Sequence, residues 1–283
     1  MTMENAIEIK MDILEMWADE TKHPKKIVVH GGVFHADDVM CVAILRTLFP
    51  EIKIERVFKA PEPEEGVIIA DIGGGKYDHH QPDARLRKDG CKYAACGLIY
   101  EDFGPLLWPD MDSFESFRDR YIIPIENTDN GLEPNPLSSA IHAFNPTWDC
   151  SDEEVRNNQF MKAVSMLQGI IQEEMRQAQA NAQAKQAVEE AIAAADNGLC
   201  VLDEYLPTNL FAGKANFIIS PSLRGGYQLL TVKKNNDTME DMISLPESWL
   251  ENKPEGCTFV HQGRFIASFN TLEYAIAAAK SIL

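Results

Sequence analysis

The chain has 283 residues, with 26 Lys and Arg against 44 Asp and Glu and a formal net charge of −18. Apolar residues at 45% and charged residues at 25% predict a folded chain long enough for two domains, and exclude a largely disordered one. The acidity speaks against tight non-specific binding to long duplex DNA, and no run approaches the roughly 18 apolar residues that a membrane span needs.

In chain order, the first 23 residues carry acids at Glu4, Glu8, Asp12, Glu15, Asp19 and Glu20. They lack the basic start and apolar centre of a secretory signal, so a cytoplasmic location is expected. Residues 25–30, KKIVVH, read as a short buried strand ending on a histidine. A Gly-Gly turn follows, and then ADDVMCVAILRTLFP, whose apolar positions Val39, Val42, Leu45 and Phe49 have helical period before Pro50 stops it. IKIERVF (52–58) alternates as a strand, and GVIIADIG (66–73) reads as a buried strand ending in an aspartate and a glycine turn. Helices are expected over 91–104 and 113–131. Ser151 with Glu154 forms a capping-box pattern at the start of a long Ala/Gln/Glu-rich stretch, one helix or two, which Gly198 can close. Strand-like segments CVLDEYLP, NFIIS and YQLLTV and a terminal helix, TLEYAIAAAKSIL, complete the chain.

This order predicts an α/β fold with a mostly parallel sheet and flanking helices, a long connecting helix and a smaller C-terminal α/β domain. The expected divisions are 25–150, a connector over 151–198, and 199–283. The six cysteines, Cys41, Cys91, Cys96, Cys150, Cys200 and Cys257, have neither zinc nor CxxC spacing and are read as small apolar side chains.

Four separated segments collect possible metal ligands. HGGVFHADD supplies His30, His35, Asp37 and Asp38; Asp71 ends the next buried strand; YDHHQ supplies Asp78, His79 and His80; ENTDNG supplies Asp129. Taken singly, each has a plain structural explanation, since Asp37 and Asp38 suit a helix N-terminus and Asp129 suits a turn. Together, at strand ends where α/β sheets bind ligands, they point to a metal site. Carboxylates mixed with imidazoles suit Mn²⁺, Mg²⁺ or Fe²⁺ better than a structural zinc, and the ligand number allows two ions.

These motifs, in this order, resemble the DHH phosphoesterase superfamily, and more closely the melanocyte-proliferating-gene family of DHH-like metal-dependent hydrolases. CKYAACGLIYEDFG, ENTDNG, FNPTWD, SLPESW and GCTFVHQGRFIASFNTLEYAIAAA continue the likeness over most of residues 27–280. The resemblance makes 25–150 the catalytic domain and 199–283 the substrate-side domain. It implies that His30, His35 and Asp71 hold one ion, and that Asp37, Asp71, His79 and Asp129 hold the second, with Asp71 as the bridge. His80 would face the scissile phosphate and Asp78 would orient it, both as catalytic residues. Lys92 and the helix end beside it would receive a phosphate, with Arg224 as a further substrate contact. The implied activity is a divalent-metal-dependent phosphohydrolase, Mn²⁺ first, in which hydroxide attacks a phosphodiester of RNA or a short oligonucleotide, in the manner of a 3′ to 5′ exonuclease.

Three departures from the family stand out. Ala94 and Ala95 replace paired serines, the link between Asp71 and DHH is only IGGGKY, and Arg224-Gly225-Gly226-Tyr227 stands where relatives carry a glycine pair and histidine. They leave open a metal-binding regulatory module without turnover. A small-molecule phosphatase of pyrophosphatase type is a further alternative. Basic clusters at Arg85, Arg87, Lys88 and Lys92, and at Lys214, Arg224, Lys233 and Lys234, favour a short phosphodiester held locally.

Overall fold

A computed structural model of the chain describes residues 23–283. The reading of the first 22 residues lies outside the described part. Two compact units divide the chain, the first ending at Gln179 and the second beginning at Ala180.

The first unit is built on three parallel strands, β1 (Lys26–His30), β2 (Lys53–Val57) and β3 (Val67–Ile69), in the order β2-β1-β3. Helix α1 (Ala36–Leu48) follows β1, and its residues from Ala36 to Leu45 are all buried. The chain adds β2 on one side of β1 and β3 on the other, so the strand order reverses beside β1. A crevice opens at the carboxyl ends of strands where such a reversal occurs. His30 ends β1, and Asp71 lies two residues beyond β3, on that same edge.

Helix α2 (Ala95–Phe103) begins four residues later than the sequence pattern suggests. Ala94 is still extended, and residues before it pair through a bridge between Leu86 and Lys92. The helical region expected over 113–131 is three pieces: α3 (Met111–Phe117), a π-helical turn (Arg118–Ile122) and α4 (Ile123–Asp129). Pro124 lacks the N–H that a regular helix would use there, and the wider turn before it absorbs that loss. Helix α5 (Pro136–His142) follows.

The long stretch is a single helix, α6 (Glu153–Ala193). Its N-terminal acceptor is Asp152, not Ser151: the Asp152 carboxylate receives the N–H of Glu154 at 2.9 Å. Phe160, Val164, Leu167, Ile171 and Ala178 enter the core of the first unit, while Val188 belongs to a core of the second. Gly198 does not close this helix. With Asn197 it forms a tight turn, φ 51° and 79°, that pairs Asp196 with Leu199 and leads into the next strand.

The second unit is a five-stranded mixed sheet in the order β4 (Leu199–Val201), β5 (Phe217–Pro221), β6 (Tyr227–Thr231), β8 (Ile266–Phe269), β7 (Cys257–Val260). Strand β5 is buried on both faces. Phe217 and Ile219 pack toward helix α7 (Leu272–Lys280), and Ile218 packs on the other side with Val188, Phe211 and Val232. The α/β class and the parallel first sheet agree with the sequence reading.

Candidate metal centre

The site forms where β1, the turn after β3, the DHH segment and α4 meet the N-termini of α1 and α2. Asp71 is its centre. One carboxylate oxygen, Oδ2, lies 3.2 Å from His30 Nε2, and the other, Oδ1, lies 3.3 Å from His79 Nε2 and 3.7 Å from His80 Nδ1. A single carboxylate thus stands between the imidazoles of two motifs. Its backbone is in the left-handed region, φ 59°, where a side chain is strained by about 1 kcal/mol or more. The turn is held by the Asp71 N–H, which donates to the Tyr77 carbonyl at 2.9 Å, while the Tyr77 hydroxyl donates to Asp102 at 2.7 Å.

Two flanking groups complete the cluster. His30 and His35 converge with Asp71, and Asp37 and Asp129 converge with His79, each trio bringing its ligand atoms within 4.8 Å of one another. His79 Nε2 is 3.1 Å from Asp129 Oδ2. Asp37 is fully buried, and α2 holds it: Ala95 N–H donates to Oδ2 at 3.0 Å and Cys96 N–H to Oδ1 at 2.7 Å. The structure therefore brings together all six residues expected as ligands.

The electrostatics of this cluster favour a cation. Burial disfavours the imidazolium of His30, yet the carboxylates of Asp71 and Asp38 raise its pKa to about 9. For His79, burial is likewise outweighed by Asp129, Asp71 and Asp37, which raise it to about 10. Asp71 is buried, but the same two histidines hold its carboxyl at about 2. Asp37 is pushed well above the usual carboxylate range by burial and by the charges of Asp71 and Asp129. Buried Asp38 Oδ2, Asp71 Oδ1 and His79 Nε2 also have no aligned hydrogen-bond partner, although the facing atoms stand only 3.1–3.3 Å away. Buried polar atoms without aligned hydrogen bonds are costly unless another species satisfies them, and carboxylate and imidazole ligand atoms within 4.8 Å of one another suit a hard divalent cation once the histidines give up their protons. The donor set fits the group that the sequence motifs imply.

His80 joins Asp71 and His79 in a third trio of possible ligands, and Asp78 holds its ring. Asp78 Oδ2 receives the Gly74 N–H at 2.6 Å, and Oδ1 lies 2.7 Å from His80 Nδ1. The short IGGGKY link thus supplies the backbone N–H that anchors Asp78. His80 is 65% exposed at the side chain, so its Nε2 edge is open to a ligand.

Several expectations need correction. The helix-end N–H groups beside Lys92 do not await a phosphate, because Asp37 takes those of Ala95 and Cys96 and Glu126 takes that of Ala94. Lys92 itself is exposed, and its carbonyl receives the Asn130 amide. Ala94 and Ala95 are fully buried, so hydroxyls there would have faced the interior. Arg87 is not a free surface cation: it is buried and bound to Asp89, Glu126 and Asn127. In the second unit Lys233 pairs with Asp241 and Lys234 with Glu240, which neutralises half of the basic island. Arg224 is exposed in the turn between β5 and β6, its N–H on Ser222 Oγ.

Sequence reasoning named Asp38 only as a possible ligand or helix-end acid, and left Arg56, Asn145 and Glu126 without a role. Asp38, fully buried, receives the His35 N–H on Oδ1 and turns Oδ2 to His30 Nε2 at 3.2 Å. Its place three residues after His35 is that of a capping-box acid, a readable signal. Arg56 donates to the Gly32 carbonyl at 2.8 Å and lies 4.5 Å from the Phe160 ring centre, steadying the turn after His30. Asn145, in FNPTWD, both accepts from and donates to the Phe34 backbone. Glu126 is buried, and burial raises its pKa to about 7 against the opposing effect of Arg87.

The family described as "Uncharacterised protein family (UPF0160)", MYG1_exonuc, matches residues 26–283. Among curated relatives, the "MYG1 exonuclease" of Homo sapiens is 26% identical over 92% of this chain and 86% of its own length. The "MYG1 protein YER156C" of Saccharomyces cerevisiae is 26% identical over 93% and 97%, and the "MYG1 protein" of Dictyostelium discoideum is 23% identical over 89% and 94%. With a match that runs from the first residue of β1 to the end of the chain, this protein belongs to the MYG1 family.

Proposed function

We propose that the chain is a divalent-cation-dependent phosphodiesterase, acting as an exonuclease on RNA or short oligonucleotides, with Mn²⁺ as its first candidate ion. The observation that carries this reading is that Asp71 belongs to one trio, with His30 and His35, and lies 3.3 Å from His79 of the trio with Asp37 and Asp129, while Asp71 Oδ1 and His79 Nε2 are buried without an aligned hydrogen bond. The names of animal relatives as exonucleases support a nucleic acid as the substrate class.

Bound divalent ions would supply Lewis acidity and lower the pKa of a coordinated water. His30, His35 and Asp71 would hold one, and Asp37, Asp71, His79 and Asp129 the other. The chain's own part begins with geometry: α2 fixes Asp37 through two backbone donors, so that acid keeps its place without rotamer search. Asp78 fixes the ring of His80 through Nδ1, which leaves Nε2 to hydrogen-bond a phosphoryl oxygen or pass a proton to the leaving oxygen. Lys92 and Arg224, both exposed, are the proposed substrate contacts.

The test is cleavage of a generic phosphodiester and of end-labelled short RNAs in Mn²⁺ by the wild type and by Asp71→Asn. The reading expects turnover in the wild type, shortening from the 3′ end, and its loss in the variant. Equal rates for the two proteins would remove it. Stoichiometric Mn²⁺ binding with no hydrolysis of any ester would favour a regulatory module instead, and turnover of pyrophosphate alone would favour the small-molecule phosphatase.

A further inference from the structure

The N-terminus of α2 presents three consecutive backbone donors, and two acids from different segments occupy them. Asp37, from α1, takes Ala95 and Cys96; Glu126, from α4, takes Ala94 at 2.9 Å. Glu126 is almost wholly buried, and its second oxygen receives Arg87 at 2.8 Å. Arg87 is also buried and reaches on to Asn127 at 2.7 Å, the next residue of α4. A β-carbon at position 97 would collide with Glu126 Oε1, so the approach of this carboxylate depends on Gly97.

Glu126 and Asp129 are three residues apart on α4, hence on one face and less than one turn from each other. Fixing Glu126 against the end of α2 therefore fixes where Asp129 stands relative to Asp37, which the same helix end holds. Arg87 ties this junction to the segment that follows the DHH motif, on which His79 lies. Asn130 adds a tie at the other end, donating to the Lys92 carbonyl at 3.0 Å.

We propose that Glu126, locked by Arg87, is the positioning residue of the Asp37–His79–Asp129 cation site: it sets the separation of two acids from different helices without touching the ion. The proposal rests on the reading that this trio holds a cation. It predicts an asymmetric defect, because His30 and His35 on the opposite side of Asp71 have no tie to Glu126 among the described contacts.

The experiment is Mn²⁺ titration of the full chain by calorimetry, with the electron paramagnetic resonance of bound Mn²⁺ as a second readout. It compares wild type, Glu126→Ala, Glu126→Gln and Asp129→Asn. Glu126→Ala is expected to weaken the second ion by about tenfold or more, the range found for residues that support metal ligands, while leaving the first within about twofold. Glu126→Gln keeps an acceptor for Ala94 and is expected to fall between Ala and wild type, which keeps the test informative should Glu126→Ala fold poorly. Unchanged affinity for the second ion in Glu126→Gln and Glu126→Ala, or an equal loss at both ions, would overturn the positioning role. If Asp129→Asn itself retains both ions, the trio is not a cation site and the underlying reading fails.

Discussion

The candidate site in the first unit and the sheet of the second pair their buried polar groups differently. In the second, Thr231 donates to Asp241 at 2.8 Å, Lys233 pairs with the same carboxylate at 2.7 Å, and buried Ser220 receives the Gln228 amide at 3.1 Å. In the first, Asp38 Oδ2, Asp71 Oδ1 and His79 Nε2 are buried without an aligned hydrogen bond, the first 3.2 Å from His30 and the other two 3.3 Å apart. A polar group that serves stability is usually satisfied within the protein, and open atoms that also converge with carboxylates and imidazoles suit a ligand. The contrast marks out the candidate site in a chain whose net of −18 alone would suggest only repulsion of polyanions.

The sharpest way to break this contrast is to remove divalent ions. Exhaustive chelation is expected to cut phosphodiester turnover by on the order of a thousandfold, the effect of withdrawing several kcal/mol of charge stabilisation, and Mn²⁺ should restore it. The unfolding temperature of the chelated chain should also fall, since an ion present at about a hundred times its dissociation constant stabilises by roughly 2.7 kcal/mol. Turnover that survives chelation would mean that the open ligand atoms carry no ion needed for activity.

Asp78→Asn leaves a side chain of the same shape beside His80 but removes the charge that fixes its ring. A loss of about 10- to 100-fold in kcat is expected with cation binding retained, measured by steady-state kinetics beside Mn²⁺ titration. A kcat equal to wild type would show that His80 needs no orientation from Asp78.

Gly97→Ala introduces a methyl group where Glu126 approaches, and overpacking of this kind costs about 1–3 kcal/mol. Thermal unfolding should show the loss, and an unchanged unfolding temperature would mean that the junction yields freely.

Acidity provides a graded test. In the cation-free chain His30 titrates at about 9 and His79 at about 10, both raised above 6.5, so binding an ion must expel their protons. Apparent Mn²⁺ affinity should rise between pH 6.5 and 9 by roughly tenfold per pH unit for each proton displaced. The same raised values mean that the stabilisation these imidazoles give the cation-free fold is full below pH 6.5 and lost as pH rises through 9 to 10. A flat affinity profile would place the ion away from both histidines.

The smallest effect belongs to the second unit. Thr231→Val removes one donor to Asp241, costs about 1 kcal/mol in chemical unfolding, and leaves Mn²⁺ binding unchanged. A change in Mn²⁺ affinity would contradict the division between satisfied and open polar groups.

Much of this was legible in the sequence because strand ends, histidines and the DHH pattern are local signals. KKIVVH became β1, the ADDVMCVAILRTL period became α1, and His30, His35, Asp37, Asp71, His79 and Asp129 meet in one cluster. What escaped depends on contacts between distant segments. Arg87 looks like a surface cation until α4 brings Glu126 and Asn127 against it, and Ala94 offers a backbone N–H that no side-chain pattern reveals. The late start of α2 and the π-helical turn before Pro124 have the same origin, tertiary fit overriding local helical preference.

The central claim is that Asp71 joins two cation sites, one carboxylate oxygen facing each histidine. Mn²⁺ titration of the full chain and of Asp71→Asn tests it most directly. The account predicts two ions per chain in the wild type and weakened binding of both in the variant; two ions bound with wild-type affinity by Asp71→Asn would contradict it.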